Sequence, residues 1–293
     1  MIAVVGSCNV DFVVPVPALP GAGETVLGGD HLRTPGGKGA NQSVAAARLG
    51  SPVAFVGCVG DDSLAPTIID ALSDAGVDMS WLRRVSDVPS GIALITVAEG
   101  GENTIAVSPG ANARLSTADL TAAASLLAEA AVTLVQLEIA EDVVAAAVRA
   151  AGGRVVLNPA PARPLAPEVL SEVDVLVPNR SELGVLCGAP EPATPAEAAA
   201  LAGSLAGPGA VVVTLGADGA LVVEHGETTH VPAIEVAAVD ATGAGDSFCG
   251  ALADGLARGS SLVEATRWAV RVAGLSTTRW GAQSGPTRAE ALS

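Results

Sequence analysis

The chain has 293 residues, of which 49% are hydrophobic, yet it contains only three Trp, three Phe and no Tyr. Its 31 acidic residues outnumber its 15 basic ones, and the net charge of −16 argues against nucleic acid or an anionic membrane as a partner, because both are bound through basic patches. A chain of this length can bury a large core of Val, Leu, Ile and Ala, and we expect one domain over residues 1–293.

Nothing in the sequence indicates secretion, a membrane span or a zinc site. The N-terminus lacks a basic and apolar leader, and no run of about 20 apolar residues occurs. The four Cys lie far apart without paired spacing, and the three His complete no zinc pattern. These patterns predict a reduced protein of the cytoplasm.

The first predicted element is a short buried strand at residues 2–5, which ends at Gly6. Asn9 and Asp11 follow its carboxyl end. Ligands of open α/β sheets bind at the carboxyl ends of strands, so both residues are candidate ligand contacts. For either residue alone, an Asx turn that leaves the strand is an equally good explanation.

Two segments, at approximately residues 12–34 and 90–108, interrupt the chain with prolines, glycines and short β-type runs. Neither segment has the spacing of a helix. We predict that the two segments together form a small antiparallel lid, which closes over the strand ends.

Between these segments, the motif Gly36-Gly37-Lys38-Gly39-Ala40-Asn41 precedes an Ala-rich helix. A P-loop would need Gly at position 32 and Ser or Thr at position 39, and this chain has Leu32 and Gly39 there. The motif instead presents Lys38 and Asn41 together, and their hydrogen-bond donors suit the hydroxyls of a substrate. The alternative is a helix start with a solvated lysine.

From residue 53 onward, predicted strands and helices alternate, which indicates βαβ units and a parallel sheet with helices on both faces. The strands lie at 53–56, 132–137, 155–157, 173–177 and 211–214, and the helices at 64–72, 118–130, 142–151, 195–205 and 262–278. An antiparallel pair is predicted at 220–224 and 229–231. Polar or glycine residues follow four successive strands and should therefore share one edge of the sheet: Glu138, Asn158, Asn179 and Gly216.

The stretch Gly243-Ala244-Gly245-Asp246 lies between a β-type run at 234–239 and a run with helical spacing. Glycines let an anion approach the N–H groups at a helix start, whose dipole favours negative charge. Because Asp246 would repel a bound phosphate, we interpret it as a base that accepts a proton from a substrate hydroxyl while these N–H groups stabilise a transferring phosphoryl group. A turn whose acid only complements the helix dipole is the alternative.

Several motifs, spread over nearly the whole chain, carry a family resemblance. They are Gly6-Ser7 with Asn9 and Asp11, Gly23-Glu24-Thr25, the Gly36 motif with Gln42, Asn158-Pro159-Ala160-Pro161-Ala162, Pro178-Asn179 with Glu182, Thr214-Leu215-Gly216, the Gly243 stretch and Gly281-Ala282-Gln283. In these motifs the chain resembles the ribokinase-like family of carbohydrate kinases. The resemblance implies an α/β fold with a central, mostly parallel sheet, helices on both faces and a small antiparallel β lid.

The resemblance also implies roles for individual residues. Sugar contacts match Asn9, Asp11, Gly36, Gly37, Lys38, Asn41 and Glu138, and the catalytic base matches Asp246, beside an anion hole at Gly243, Ala244 and Gly245. Nucleotide contacts match Asn179, Thr214, Gly216, Ala217, Asp218, Gly219 and Gly245. Glu182 matches an acid associated with magnesium, and a potassium site matches Asp240, Thr242, Ser276, Arg279, Gly281 and Gly285, although the family often has Ser where this chain has Gly285.

The activity implied by the resemblance is ATP-dependent phosphorylation of D-ribose at its 5-hydroxyl, with ATP, Mg²⁺ and K⁺ as cofactors and a homodimer formed through the lid. A sister kinase for deoxyribose, another pentose, a ketohexose or a nucleoside stays open, as does a catalytically silent sugar-binding protein. A dinucleotide oxidoreductase is disfavoured, because its third glycine would fall at Phe248.

Overall fold

The computed structural model describes all 293 residues. Its strands are β1 (Ile2–Val5), β2 (Asn9–Val16), β3 (Leu32–Gly36), β4 (Val53–Gly60), β5 (Asp78–Val85), β6 (Gly91–Ala98), β7 (Asn103–Ser108), β8 (Val132–Gln136), β9 (Arg154–Asn158), β10 (Val175–Leu176), β11 (Ala210–Thr214), β12 (Ala220–Glu224) and β13 (Glu227–Val231). Its helices are α1 (Lys38–Arg48), α2 (Ala65–Asp74), α3 (Thr117–Ala122), α4 (Ala124–Glu129), α5 (Glu141–Ala150), α6 (Pro167–Leu170), α7 (Arg180–Cys187), α8 (Pro195–Ser204), α9 (Ala244–Ala257), α10 (Leu262–Ser276) and α11 (Arg288–Leu292). Short 3₁₀ turns occur at Gly110–Arg114 and Gly216–Asp218.

A large sheet of nine strands has the order β13-β12-β11-β10-β9-β8-β1-β4-β5. The strands from β11 to β5 are parallel, and β12 and β13 extend the sheet in antiparallel fashion. This arrangement confirms the predicted fold class. The four strands whose ends carry the predicted polar residues, β8 to β11, are neighbours in the sheet.

Helices cover both faces of the large sheet, and successive residues of β1 pack against the helices on opposite faces. Ile2 and Val4 pack into the core under α1, α2, α9 and α10, whereas Ala3 and Val5 pack into the core under α3, α4 and α5. Successive strand residues point to opposite faces, so a strand covered on both sides needs an uninterrupted apolar run. The predicted buried strand at residues 2–5 is confirmed for this reason.

The small sheet that we predicted as a lid is present, in the order β3-β2-β6-β7. Its outer pairs are antiparallel, but β2 and β6, where the two segments meet, are parallel, so the expectation that the segments pair in antiparallel fashion is wrong. β2 follows β1, and β6 follows β5, which belongs to the same parallel sheet. Both therefore leave the large sheet in the same direction. Asn9 and Asp11 lie on β2, within the lid itself.

Three local predictions differ from the structure. Residues 234–239 form no strand, because the N–H groups of Val239 and Asp240 donate to the carbonyl of Thr277 and Ile234 packs on Gly274 of α10. The predicted helix at 118–130 is interrupted at Ala123, between α3 and α4. Sequence analysis missed β5, a partly exposed edge strand, and α7.

None of the helices combines the length and the apolar character that crossing a bilayer requires. All four cysteines are free thiols, of which Cys8, Cys58 and Cys249 are buried.

Helices α1 and α9 pack against each other with unusually close backbones. A Cβ at Gly250 of α9 would lie 2.7 Å from the carbonyl oxygen of Gln42 and 2.7 Å from the Cβ of Ala45, both on α1. Only glycine fits such an approach. The contact brings the first turns of the two helices together, and these turns carry Lys38, Asn41 and Asp246.

The opposite ends of α1 and α9 are joined by a buried carboxylate. Asp254 of α9 is fully buried, and its oxygens accept hydrogen bonds from Ser51 Oγ (2.8 Å), Arg258 Nε (2.7 Å), Trp268 Nε1 (3.0 Å) and Arg288 Nη1 (2.9 Å). The two arginines also donate to the carbonyl of Leu49, which follows α1. This cluster connects α1, α9, α10 and α11 in one network.

We predict that Asp254→Ala lowers the free energy of unfolding by about 3 kcal/mol, because breaking a buried ion pair leaves two guanidinium groups and an indole N–H without their acceptor. Asp61→Ala is the matched control. Asp61 pairs with Arg84 at 3.4 Å on the surface, with side chains 65% and 53% exposed, and its removal should cost less than about 0.5 kcal/mol. Urea unfolding of both variants measures the difference, and equal midpoints would contradict this account.

Candidate active site

The site lies where the carboxyl ends of β8 to β11 meet the first turns of α1 and α9. Residues at this place line a cavity of about 170 Å³, among them Lys38, Asn158, Asn179, Glu182, Thr214, Gly245 and Asp246. A second cavity of about 330 Å³ lies under the lid and is lined by Asn9, Val107, Asn112, Glu138 and their neighbours. Predicted sugar contacts and predicted nucleotide contacts therefore line different cavities: Asn9 and Glu138 the larger, Asn179 and Thr214 the smaller.

Asp246 lines the smaller cavity and is held there by hydrogen bonds to both of its oxygens. Asn41 Nδ2 donates to Oδ2 at 2.9 Å, and Gln42 Nε2 donates to Oδ1 at 2.9 Å. The residue is 8% exposed. Burial raises its pKa above the ordinary value, although the charge of Lys38 and the two amide donors oppose the rise. A carboxylate in this state is suited to accept a proton.

The turn before α9 leaves backbone N–H groups free. Gly243 has φ 72°, and a Cβ there would lie 2.5 Å from the carbonyl oxygen of Ala282, so both conformation and space require glycine. A Cβ at Gly245, in contrast, would meet no atom within 4 Å. The N–H groups of Gly245 and Asp246 have no acceptor within the chain. The turn therefore offers an open anion site at a helix N-terminus.

Under the lid, Asp11 is the least satisfied polar group. Its Oδ1 is buried and has no hydrogen-bond partner. A Cβ at Gly36 would lie 2.1 Å from Asp11 Oδ2, so this glycine makes room for the carboxylate. Burial, and the charges of Glu138 and Asp246, raise the pKa of Asp11 to about 7, with Lys38 opposing them.

The other residues predicted to contact a sugar have partners in the chain. Asn9 Oδ1 accepts a hydrogen bond from Asn112 Nδ2 at 2.7 Å, which directs the Asn9 amide nitrogen away from Asn112. Glu138 Oε2 accepts hydrogen bonds from Ser7 Oγ and from the N–H of Lys38. Glu138 thereby anchors the first turn of α1. Gly37, with φ 86°, packs against the backbone of Cys8 and Asn9.

The residues predicted to contact a nucleotide fall into two groups. Asn179 and Thr214 line the smaller cavity and form a bridge between the strand ends, and Gly216 beside them has open space around it. Asp218 forms an ion pair with Arg180, and a Cβ at Gly219 would lie 2.1 Å from the carbonyl oxygen of Val231. Ala217, which lies between Gly216 and Asp218 in the sequence, is exposed. Asp218 and Gly219 therefore hold the loop in place.

Several of the predicted metal ligands already make hydrogen bonds within the chain. Asp240 accepts the N–H of Thr242 (2.9 Å) and the N–H of Gly281 (2.8 Å), and these bonds hold its pKa below the ordinary value despite burial. Arg279 pairs with Glu290, and the Gly281 carbonyl accepts from Ser284.

No three acidic, His or Cys side chains cluster as a metal site. Glu182 uses Oε2 to accept the N–H of Asn179, and burial raises its pKa, opposed by that hydrogen bond and by Lys38. A Cβ at Gly285 would lie 3.4 Å from Ser247 Oγ.

Sequence analysis missed the amides that organise the site. Gln42 contacts Asp246 directly, Gln136 donates to Gln42, Gln283 donates to Asn41, and Asn112 bonds to Asn9. Gln42 could have been suspected, because it follows Asn41 at the start of a helix. Gln136 and Asn112 carry no local signal, since their partners lie 94 and 103 residues away in sequence.

Comparison with known proteins places these features in a family. The profile of "pfkB family carbohydrate kinase" matches residues 1–289. The ribokinase of Haemophilus influenzae is 40% identical over 297 residues, which cover 99% of this chain and 97% of the relative. The deoxyribokinase of Salmonella typhi is 38% identical over 289 residues, covering 97% and 94%. The structure of Arabidopsis thaliana ribokinase complexed with ribose and ATP matches with a TM-score of 0.89 and 33% identity, over 99% and 97% of the two chains.

We predict that kcat/KM for a sugar substrate falls as the pH drops through about 7, the value to which the pKa of Asp11 is raised. If Asp11 contacts the sugar as predicted, protonation should weaken binding, because hydrogen bonds from hydroxyls to an ionised carboxylate are stronger than those to the neutral acid. Because kcat/KM reports groups of the free enzyme, this limb should be absent from kcat at saturating sugar. Asp11→Asn is the control and should lose the limb. A kcat/KM that is constant between about pH 6 and pH 8 would contradict the assignment.

Proposed function

Since this chain belongs to the pfkB family of carbohydrate kinases, we propose that it transfers the γ-phosphoryl group of ATP to the 5-hydroxyl of D-ribose, giving ribose 5-phosphate and ADP. The full-length similarity to ribokinases supports the choice of ribose. The observation that carries the proposal is the position of Asp246, a buried carboxylate that lines the smaller cavity beside free backbone N–H groups.

In this mechanism the sugar lies under the lid, with its 5-hydroxyl directed at Asp246. Asp246 accepts the hydroxyl proton as the oxygen attacks the γ-phosphorus, and burial keeps the pKa of the carboxylate high enough for this transfer. The N–H groups of Gly245 and Asp246 donate to the phosphoryl oxygens as their charge changes. Lys38, which lines the same cavity, supplies a cation beside the phosphates.

Sugar recognition is assigned to the groups under the lid. Asp11 has an unpaired buried oxygen, and Asn9 is oriented by Asn112, so both can bond to ring hydroxyls. ATP is assigned to the neighbouring cavity, where Asn179, Thr214 and Gly216 lie at the strand ends. We propose no catalytic part for Asp218 or Gly219 beyond shaping the nucleotide loop.

Magnesium fits this site as the companion of ATP. Magnesium usually binds through one or two carboxylates together with phosphates and water, and a dedicated cluster of protein ligands is not needed. Glu182 is the residue placed to hold it, since it caps α7 with one carboxylate oxygen and lines the phosphate cavity. When bound, the ion neutralises charge on the phosphates.

A monovalent cation site fits the residues behind the anion turn. Asp240 ties Thr242 to Gly281, and the carbonyl groups of this region provide the oxygen ligands that a large, weakly hydrated ion such as potassium accepts. The cation would hold the turn in the shape that aims the Gly245 N–H at phosphate. Gly285 contributes no side-chain oxygen.

A homodimer through the lid is also proposed. Backbone pairing places Asp11, Ala93 and Val107 on one face of the small sheet, and the same face carries Leu32 and Ile105 farther out. Leu32, Ile105 and Val107 are 60%, 57% and 49% exposed. A second copy that covered this face would bury them and close the sugar cavity. The molar mass in solution at micromolar protein tests this proposal.

We predict that Asp246→Asn lowers kcat for ribose by roughly 10² to 10⁴, the effect of a lost general base, while KM for ribose changes little. The substitution keeps the shape of the side chain, so the fold should persist, which circular dichroism checks. Turnover near that of the wild type would remove Asp246 from the mechanism.

We predict that the wild-type enzyme has a lower kcat/KM for deoxyribose than for ribose, because deoxyribose leaves part of Asp11 or Asn9 unpaired. Equal values for the two sugars would favour a deoxyribose or broader sugar kinase.

We predict faster turnover in potassium chloride than in sodium or tetramethylammonium chloride at equal ionic strength. Asp240→Asn should reduce this difference, because it weakens the cation site without contacting the substrate. Identical rates of the wild type in all three salts would mean that the turn is held by its own hydrogen bonds.

A further inference from the structure

Each carboxylate oxygen of Asp246 is held by an amide whose orientation is set by a second amide. Asn41 donates to Oδ2, and Gln283 Nε2 donates to Asn41 Oδ1 at 3.0 Å. Gln42 donates to Oδ1, and Gln136 Nε2 donates to Gln42 Oε1 at 2.6 Å. Two relays of paired amides therefore converge on one carboxylate.

The orientation of Gln42 decides whether its nitrogen or its oxygen faces Asp246. On the nitrogen side, Gln42 also donates to Asn158 Oδ1 at 3.2 Å, and Asn158 is fixed in turn because its Nδ2 donates to the carbonyl of Val177 at 2.9 Å. A backbone carbonyl can only accept. On the oxygen side, Gln136 is the donor. A flipped Gln42 would lose these bonds and place its oxygen against the carboxylate.

Gln136 lies in the core of the parallel sheet, where a polar side chain lowers the stability of the fold. It is fully buried at the end of β8, and its Oε1 has no hydrogen-bond partner. A Cβ at Gly6 would lie 2.0 Å from this oxygen, so the neighbouring strand needs glycine to admit the side chain. An unpaired buried amide oxygen destabilises the fold, whereas an apolar residue of the same shape would not. The single hydrogen bond that Gln136 makes through its side chain is the one to Gln42.

We propose that Gln136 is a positioning residue that acts through Gln42 to keep an N–H aimed at the proton-accepting oxygens of Asp246. The inference rests on the proposed role of Asp246 as the base. The Asn41 relay is less suited to a test, because Asn41 is also assigned to sugar binding. Gln136 and Gln42 lie outside the assigned sugar and nucleotide contacts.

The relay opposes several groups that favour the neutral form of Asp246. The neutral form is favoured by Glu138 after β8, Asp11 on the lid, Glu182 on α7 and the Cys249 thiol on α9, whereas Lys38 on α1 favours the ionised form. A donated N–H stabilises the ionised carboxylate. Loss of this N–H raises the pKa of Asp246. As the pH is lowered, the carboxylate of the variant is therefore protonated at a higher pH than that of the wild type.

The test measures kcat against pH at saturating sugar and ATP, where bound sugar covers Asp11. Gln42→Met removes the donor at nearly constant volume, and Gln136→Met removes the group that orients it. We expect Gln42→Met to lower kcat about 10-fold to 100-fold at the acid end and to move the acid limb to higher pH. Gln136→Met should move the limb in the same direction by less, with KM for the sugar unchanged.

The double variant and a matched control separate positioning from general damage. Because Gln136 acts through Gln42, the double variant should match Gln42→Met, whereas independent effects would add. Thr133→Val is the control, since Thr133 lies on the same strand, is fully buried and has an unpartnered Oγ1. It should leave the acid limb in place. Gln136→Leu, which is apolar, of similar size and unable to donate, serves if Gln136→Met does not fold.

An unmoved acid limb in Gln136→Met, or additive losses in the double variant, would overturn the relay. Asp246→Asn in the same series keeps this outcome distinct from failure of the proposed mechanism. An inactive Asp246→Asn with an unmoved limb in Gln136→Met rejects the relay alone. An active Asp246→Asn rejects both the base and its positioning.

Discussion

At Gly250, α9 meets α1 so closely that no side chain fits between them, and the geometry of the site depends on this contact. It brings Asn41 and Gln42, in the first turn of α1, onto Asp246, in the first turn of α9. Asp254 and its arginines fix the far ends of the same helices. A small rotation of either helix would separate the amides from the carboxylate, because hydrogen bonds weaken steeply with misalignment.

The electrostatics of the site are governed by a shortage of cations. Glu138, Asp246 and Glu182 lie near Lys38, and these carboxylates raise its pKa although its burial opposes the rise. Lys38 is the one basic residue that lines the smaller cavity, in a chain with net charge −16. The free backbone N–H groups at the start of α9 add to its positive potential. Burial, with a smaller contribution from Glu138, keeps the pKa of Asp246 above its ordinary value.

Different physical reasons account for the glycines at different positions near the site. Gly243 is fixed by its positive φ and by the backbone of Ala282 against it, whereas the space over Gly245 is open. Gly36 and Gly6 make room for the side chains of Asp11 and Gln136. Glycine in this sequence thus marks both places where the chain touches itself and places where a ligand can approach the backbone.

The sequence by itself determined the alternation of strands and helices, the buried parallel sheet, and the start of a helix at the Gly243 to Asp246 turn. Those features are local: an apolar run of four residues, a helical repeat or a glycine before a helix is legible wherever it occurs. The run at 234–239 shows the limit of such local patterns. Its residues have the pattern of a β-strand, but they pack against α10 and join no sheet.

Tertiary structure alone decided the parallel pairing of β2 with β6 and the amides around the base. The pairing follows from the direction in which two strands leave the large sheet. Gln42 meets Asp246 across 204 residues, and Gln136 meets Gln42 across 94. A single amide on a strand has no pattern of its own, and its function depends on the donor or acceptor that folding places opposite it.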